Sequence, residues 1–285
     1  DVERAARALL GAERPVIHAG QGIMYAEATD ELVELAELLT APVYTTLLGK
    51  SAFPESHPLS LGMAAGSASW PAIHFMRASD LIFGAGASMA KHQMSANLPL
   101  GKTLVQVTND ESDLNRNYAI DFPMLGDAKL VLRQLIEAVN DLGSAPKRTN
   151  TDVAGEIDAV RSEWMAHWLP KLTSKDAPIN PYRLVAEVRA ALPRDASIAV
   201  DGETIMGICR AILPSYRERS RLNAGTTGCM GTGLPYAVGS ALAAPEHPSV
   251  AVLGDYAFGA AAMAVETAAR VGAKVVIVIS NNQGI

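Results

Sequence analysis

Residues 250–285 read VAVLGDYAFGAAAMAVETAARVGAKVVIVISNNQGI, and the pattern of this stretch gives the clearest prediction of the fold. Two apolar runs, at 249–254 and 274–280, are typical of buried strands, and the segment between them has a helical composition. A helix between two parallel strands returns the chain through a right-handed crossover, so the carboxyl ends of both strands lie at one edge of the sheet. The pattern therefore predicts that Asp255 and Asn282, which follow the two strands, converge.

The polar residues at this predicted edge have the chemistry of a metal-diphosphate site. Carboxylate and amide oxygens, such as those of Asp255 and Asn282, suit a hard cation like Mg²⁺, and free amides at the start of a helix attract phosphate. Taken singly, an aspartate is also a common helix cap and paired asparagines are common in turns. Their joint occurrence around an alanine-rich helix favours the metal-diphosphate site.

The same alternation of strand and helix patterns extends over the rest of the chain. Its 285 residues are 49% hydrophobic and carry a formal net charge of -6. Strand and helix patterns alternate up to about residue 140 and again after 178, which predicts an α/β fold of two doubly wound, mainly parallel sheets. We expect a Rossmann-like central domain at 1–140, a linker and connecting helix at 141–177, and a second, incomplete domain at 178–285.

Composition excludes several classes of protein. No apolar run approaches the roughly 18 residues that a membrane-spanning helix needs, and no basic stripe marks a nucleic-acid binder. The chain has two isolated cysteines, too few for a disulfide framework. We therefore expect a cytoplasmic protein with no nucleic-acid or membrane partner. Because the chain begins with Asp1 rather than Met, we also expect it to be a fragment.

The first predicted domain carries two glycine pairs that follow strands, at 20–22 and 84–86. Such glycines bring the backbone close to a nucleotide phosphate, but neither pair completes G-x-G-x-x-G, and tight turns use glycine in any α/β protein. The acidic residues Asp110, Glu111 and Asp113 suit either a ribose hydroxyl or a solvated helix start. A dinucleotide-dependent oxidoreductase is therefore one alternative, although the incomplete glycine pattern argues against it.

Residues 254–282 resemble the thiamine diphosphate motif, which begins Gly-Asp-Gly and ends Asn-Asn after some two dozen residues. Here GDY stands at 254–256 and NN at 281–282, with residues 257–280 between them. Tyr256 thus replaces the motif's second glycine. The family resemblance implies a diphosphate-binding segment at Gly254, Asp255, Tyr256 and Ala257, and Mg²⁺ ligands from Asp255, the Asn282 side chain and the Gly284 main-chain carbonyl.

Residues 223–243, NAGTTGCMGTGLPYAVGSALA, are similar to the segment that bends the cofactor in this superfamily. The resemblance implies that Met230 is the wedge between the thiazolium and aminopyrimidine rings, and that the Gly228 carbonyl accepts a hydrogen bond from the 4′-amino group. An ordinary core methionine is the alternative for Met230. VDGETIMG at 200–207 resembles the preceding cofactor loop and implies that Glu203 and Thr204 lie near the diphosphate.

Within the superfamily, GDYAFGAAAMAVETAAR and NNQGI are most similar to oxalyl-CoA decarboxylases and 2-hydroxyacyl-CoA lyases. Acetolactate synthases are the next alternative. They rank second because their corresponding segment runs NNEEQG, with two residues more than NNQGI. A non-catalytic binding chain is a third possibility. The resemblance implies thiamine diphosphate and Mg²⁺ as cofactors, a 2-oxoacid or acyl-CoA substrate, and a homodimer or tetramer. FAD is not expected, since GASMAKH at 86–92 lacks the arginine-bearing pattern of flavin-binding relatives.

The resemblance also implies that no residue of this chain is the catalytic base. In the family, the glutamate that activates the cofactor belongs to an N-terminal domain, which we expect to lie outside these residues. Glu266 follows Asp255 by about three turns of a continuous helix, roughly 16 Å, so it is not a substitute. The six histidines fall outside the motif segments, and we expect them to be packing or surface residues.

Overall fold

The computed structural model describes residues 1–65, 68–92, 96–148 and 151–284. The chain divides into two units, Asp1–Trp164 (unit 1) and Met165–Ile285 (unit 2). The division falls within helix α6 (Val153–Leu172). None of the helices in the described ranges has both the length and the apolar composition needed to cross a membrane.

Unit 1 is built on one parallel sheet. Its strands are β1 (Pro15–Ala19), β2 (Val43–Thr45), β3 (Ser60–Met63), β4 (Leu81–Ala85), β5 (Thr103–Thr108) and β6 (Phe122–Leu125). Their order across the sheet is β3-β2-β1-β4-β5-β6, and every pairing is parallel. This is the order of doubly wound nucleotide-binding folds, with a topological switch between β1 and β4.

Helices pack on this sheet through apolar faces. They are α1 (Val2–Gly11), α2 (Gly22–Tyr25), α3 (Thr29–Leu39), α4 (Trp70–Ala78) and α5 (Ala128–Leu142). In α5 the buried Val131, Leu135 and Val139 recur every four residues, which places them on one face. The side chain of Asp127 caps this helix by accepting a hydrogen bond from the Leu130 amide at 3.1 Å.

Unit 2 repeats the architecture with a second parallel sheet. Its strands are β7 (Ser197–Asp201), β8 (Arg221–Leu222), β9 (Ser249–Gly254) and β10 (Val275–Ser280), and their order is β10-β9-β7-β8. Its helices after α6 are α7 (Pro181–Ala191), α8 (Thr204–Ile212), α9 (Gly233–Ala243), α10 (Asp255–Ala260) and α11 (Ala264–Val271). The predicted fold class is confirmed, because both units are α/β with parallel sheets.

The segment between β9 and β10 differs from the sequence expectation. We predict one continuous helix there, but the structure has two, because α10 ends at Ala260 and α11 begins at Ala264. Gly259 lowers helix propensity near the break, and the small alanines around it supply little packing to compensate. The helix that begins at the predicted site is therefore only six residues long.

The glycine pairs of unit 1 serve the packing of two loops against each other. A Cβ added at Gly20 would lie 2.2 Å from the Gly86 carbonyl oxygen, and the Gly22 amide donates to that oxygen at 2.9 Å. Nearby, the Asp110 side chain caps the short 3₁₀ helix Glu111–Asp113 by accepting from the Ser112 amide. Hydrogen bonding to the Ser112 side chain, and then to its amide, lowers the pKa of Asp110. The glycine pairs thus serve tight packing between loops, and the acidic residues form the start of a short helix, as the structural alternatives predict.

Candidate functional site

The carboxyl ends of β7, β9 and β10 lie side by side. Leu253 pairs with Asp201 on one side, and Gly254 pairs with Ser280 on the other. Because all three strands are parallel, the segments that follow them start at the same edge of the sheet. The structure thus brings 202–204, 255–257 and 281–282 to one edge, and the crossover argument predicts this for the two segments that contain Asp255 and Asn282.

The segment after β7 approaches the end of β9 closely because it begins with a glycine. Gly202 has φ +107°, and a Cβ added there would lie 3.1 Å from the Gly254 backbone nitrogen. Glu203 and Thr204 follow at once and are exposed at the start of α8. The backbone after β7 therefore runs directly beside the backbone that leads into Asp255.

Asp255 is the first residue of α10, and Gly254 is the N-cap residue. Asp255 is therefore not the helix cap of the alternative interpretation. Its side chain is partly buried, whereas Tyr256 is 51% exposed and Ala257 is buried. Amides in the first turn of a helix have no intrahelical acceptor, so those of Tyr256 and Ala257 can donate to a ligand at this edge.

The asparagine pair forms local turns beyond β10. The Asn281 Oδ1 accepts a hydrogen bond from the Gln283 amide at 3.0 Å, and the Asn282 Oδ1 accepts from the Gly284 amide at 3.3 Å. Both asparagines are exposed. The turn interpretation thus describes the local backbone, and the same turn presents the Asn282 side chain and the Gly284 carbonyl group in one short segment.

The loop 228–232, between a 3₁₀ turn and α9, carries the predicted wedge. Its backbone reverses at Gly228 and Gly231, which have φ +65° and +90°, a region that favours glycine. Met230 is 41% exposed, so the core-methionine alternative is wrong. A Cβ added at Gly228 would meet no atom within 4 Å, which shows open space beside this residue.

Asp201 is a residue of the site that the sequence reasoning overlooks. Its carboxylate is 3% exposed, with Oδ1 accepting from the Gly202 amide at 2.7 Å and Oδ2 from the Gly233 amide at 2.8 Å. Gly233 is the first residue of α9, directly after the wedge loop. The available signal is an aspartate at the end of an apolar strand, and Asp201 shares this signal with Asp255.

Glu266 does not face the site as a base. It lies in the first turn of α11, is exposed, and accepts a hydrogen bond from the Arg270 Nε at 2.9 Å. The break at 261–263 means that the helix-length estimate for Glu266 does not apply. That Glu266 is not the activating glutamate stays a prediction.

The donor set at the edge fits Mg²⁺ and a diphosphate. Asp255 supplies a carboxylate, Asn282 an amide oxygen and Gly284 a main-chain carbonyl, and these all-oxygen donors are the ligands that Mg²⁺ prefers. Within the described ranges, no three or more His, Cys, Asp or Glu side chains are grouped as a metal site. A site of the predicted kind would contain only one such side chain.

Comparison with known proteins agrees with this geometry. Residues 2–135 match the family model described as thiamine pyrophosphate enzyme, central domain, and residues 202–285 match the thiamine pyrophosphate enzyme, C-terminal TPP binding domain. The chain is 29% identical to a probable acetolactate synthase large subunit of Methanococcus aeolicus, over 99% of the chain and 49% of that protein. It is 31% identical to a 2-hydroxyacyl-CoA lyase of Arabidopsis thaliana, over 100% of the chain and 50% of that protein.

The fold and its polar edge define a class of protein, and the matched domain models show the family. Two parallel-sheet units, one with a polar, glycine-lined edge at three strand ends, define an α/β protein built to take a phosphate-bearing cofactor. The two matched domains then show that the chain belongs to the thiamine pyrophosphate-dependent enzyme family, as its motifs predict. The chain spans about half the length of the curated relatives that it matches.

Proposed function

We propose that the full-length protein is a thiamine diphosphate- and Mg²⁺-dependent enzyme that cleaves or forms a carbon-carbon bond beside a carbonyl, of the 2-hydroxyacyl-CoA lyase or oxalyl-CoA decarboxylase type. The observation that carries this proposal is the meeting of three strand ends at one edge, fixed by the pairing of Gly254 with Ser280 and of Leu253 with Asp201. No single loop could supply this arrangement.

Each polar group at the edge has a distinct task in this proposal. Asp255, Asn282 and the Gly284 carbonyl hold Mg²⁺, and the amides of Tyr256 and Ala257 donate to the diphosphate. Donation by these amides does not depend on the side chain, so the Tyr256 ring is compatible with it. Gly202 allows the 202–204 segment to run close to Gly254, and the exposed Glu203 and Thr204 are proposed to lie near the diphosphate.

When bound, thiamine diphosphate supplies a carbon nucleophile and an electron sink for the carbon-carbon bond. The contribution of the wedge loop is orientation. The partly exposed Met230 side chain would support the bent cofactor, and the Gly228 carbonyl would accept a hydrogen bond from its 4′-amino group. Both residues restrict conformation before reaction, which is how binding energy lowers a barrier. The activating glutamate and the acyl-binding groups are proposed to come from outside residues 1–285.

Acetolactate synthase is the second candidate. The relatives support both activities at similar identity, since the Methanococcus aeolicus protein named as a probable acetolactate synthase is 29% identical and the Arabidopsis thaliana lyase is 31% identical. The short NNQGI segment favours the acyl-CoA activities. We also propose a homodimer or tetramer in the cytoplasm, which light scattering of the purified protein and fractionation of cells would test.

The test of substrate class uses the full-length protein with thiamine diphosphate and Mg²⁺. It is supplied separately with a 2-hydroxyacyl-CoA, with oxalyl-CoA and with pyruvate, and products are followed by mass spectrometry. Aldehyde and formyl-CoA, or formyl-CoA and carbon dioxide, would support the preferred type. Acetolactate from pyruvate would instead favour the second candidate, and no turnover of any of the three would contradict the proposal.

The metal assignment is tested by calorimetry. In the full-length protein, thiamine diphosphate should bind tightly only with Mg²⁺, and Asp255→Ala should reduce the affinity at least about 100-fold, since it removes the one charged ligand. Glu266→Ala is the matched control, because Glu266 is an exposed carboxylate on α11 that pairs with Arg270. Equal affinity with and without Mg²⁺ would refute the assignment.

A further inference from the structure

Asp201 and Gly233 form a buried contact between the sheet and the wedge loop. They lie in different elements, β7 and α9, yet the Asp201 Oδ2 accepts from the Gly233 amide at 2.8 Å. The other oxygen accepts from the Gly202 amide at 2.7 Å. A 3% exposed carboxylate that receives two backbone amides is fixed in place, because neither oxygen can rotate away without losing a bond in a dry environment.

Gly233 is required for this contact. A Cβ added there would lie 2.6 Å from the Asp201 Cβ and 2.7 Å from the Leu253 Cδ2, closer than real Cβ atoms approach. Glycine thus allows the first turn of α9 to lie directly on the ends of β7 and β9. The last residue of the wedge loop is the N-cap of that helix, so the loop has one end fixed by Asp201.

The contact matters for function because much of the wedge loop is open, although Gly231 lies against α10, where an added Cβ would be 3.3 Å from the Ala260 Cβ. Met230 is 41% exposed, and no atom would lie within 4 Å of a Cβ at Gly228. A loop with open space around it takes its position from its anchored ends. The Asp201 carboxylate is the polar anchor at the end nearest the site.

We propose that Asp201 is a positioning residue, which sets the location of Met230 and of the Gly228 carbonyl at the cofactor-binding edge. This inference rests on the proposed function, because it assigns to Asp201 the alignment of a bound thiamine diphosphate. Asp201 touches neither metal nor diphosphate in this scheme. Loss of the Asp201 carboxylate should therefore impair the pre-organisation of the bound cofactor more than it weakens cofactor binding.

The test compares three variants of the full-length protein. Asp201→Asn retains the size of the side chain but has only one acceptor oxygen, so it can satisfy at most one of the two amides. Gly233→Ala keeps Asp201 but forces the start of α9 away from it. Ser249→Ala is the matched control, since the buried Ser249 Oγ donates to the Ala237 carbonyl at 2.7 Å and also joins α9 to the sheet, but away from the wedge loop.

Two measurements separate positioning from general stability. In the cofactor-free protein, amide hydrogen exchange of 228–233 should accelerate about tenfold or more in Asp201→Asn and Gly233→Ala, but not in Ser249→Ala. At saturating thiamine diphosphate and Mg²⁺, deuterium incorporation at the cofactor C2 should slow about 10- to 100-fold in the first two variants only. Affinity for the cofactor should change by less than about fivefold.

The outcomes are distinguishable from those that test the proposed function. If the unaltered protein binds no thiamine diphosphate, the proposed function fails and the inference fails with it. If the unaltered protein binds and exchanges C2 but Asp201→Asn exchanges at the same rate, only the inference is refuted. An equal slowing in Ser249→Ala would also refute it, because the effect would then reflect the seating of α9 in general. If Asp201→Asn does not fold, Gly233→Ala decides between these outcomes.

Discussion

A buried histidine should make unit 1 sensitive to mild acid. His18, on β1, is 7% exposed, its Nδ1 has no hydrogen-bond partner among the described residues, and its ring meets that of Tyr44 edge to face at 4.9 Å between centroids. Burial lowers the pKa of His18 from 6.5 to about 4. The folded state thus disfavours the protonated ring, whereas the unfolded state does not.

The magnitude follows from linkage. The unfolded chain takes up a proton on His18 below about pH 6.5, and the folded chain does so only below about pH 4, so stability is complete above pH 6.5 and falls as the pH decreases. One pKa unit corresponds to about 1.4 kcal/mol. His18 alone should therefore cost unit 1 roughly 2 to 3 kcal/mol between pH 7.5 and pH 4.5.

The assay is urea unfolding of the full-length protein across this pH range, with hydrogen exchange of the β1 and β2 amides identifying the transition of unit 1. His18→Leu should lose less stability at pH 4.5 than the unaltered protein, by roughly 2 to 3 kcal/mol. Tyr44→Phe is the control, because it keeps the ring contact and the burial of His18, so its pH dependence should match that of the unaltered protein. Parallel pH profiles for His18→Leu and the unaltered protein would refute the reasoning.

Three further predictions concern the wedge, the motif tyrosine and unit 1. Met230→Gly should leave the Kd for thiamine diphosphate within about threefold but slow C2 deuterium exchange about 10- to 100-fold, and unchanged exchange would show that Met230 is not the wedge. Tyr256→Ser should also leave this Kd within about threefold by calorimetry, because backbone amides make the contact. A larger loss would show that the ring itself binds. Arg148 donates to carbonyls at the ends of α1 and α3, so Arg148→Met should destabilise unit 1 by about 2 kcal/mol in urea. Arg7→Met, which breaks only an exposed ion pair, should cost less than about 0.5 kcal/mol.

Periodicity was sufficient to predict the elements with long, regular patterns. The predicted strands at 249–254 and 274–280 correspond to β9 and β10 within a residue. Asn180, whose residue type favours helix N-caps, caps α7 by accepting from the Tyr182 amide at 3.0 Å. The four-residue strands β3 and β6 were not predicted. Each is too short to show a period, and each contains a residue that weakens strand patterns, Gly62 or Pro123.

The break between α10 and α11 was not predictable from composition for a different reason. Alanine favours helix at every position, so AFGAAAMAVETAAR reads as one continuous helix. What the alanines lack is packing, and most of the stability of a helix in a protein comes from the burial of one face. In α11 no residue is buried. Propensity therefore predicted the helical state correctly but could not predict its continuity.

Asp201 and Asp255 show why the sequence could suggest a site but not assign every role in it. Both are aspartates at the carboxyl ends of neighbouring parallel strands, and both follow an apolar run, SIAV at 197–200 and VAVLG at 250–254. Asp201 is buried because Gly233 allows the start of α9 to lie against it and supply an amide. Asp255 stays partly exposed, as the metal ligand of our proposal must be. The difference between the buried carboxylate and the accessible one thus depends on a glycine on another element, a contact that no local pattern around either aspartate contains.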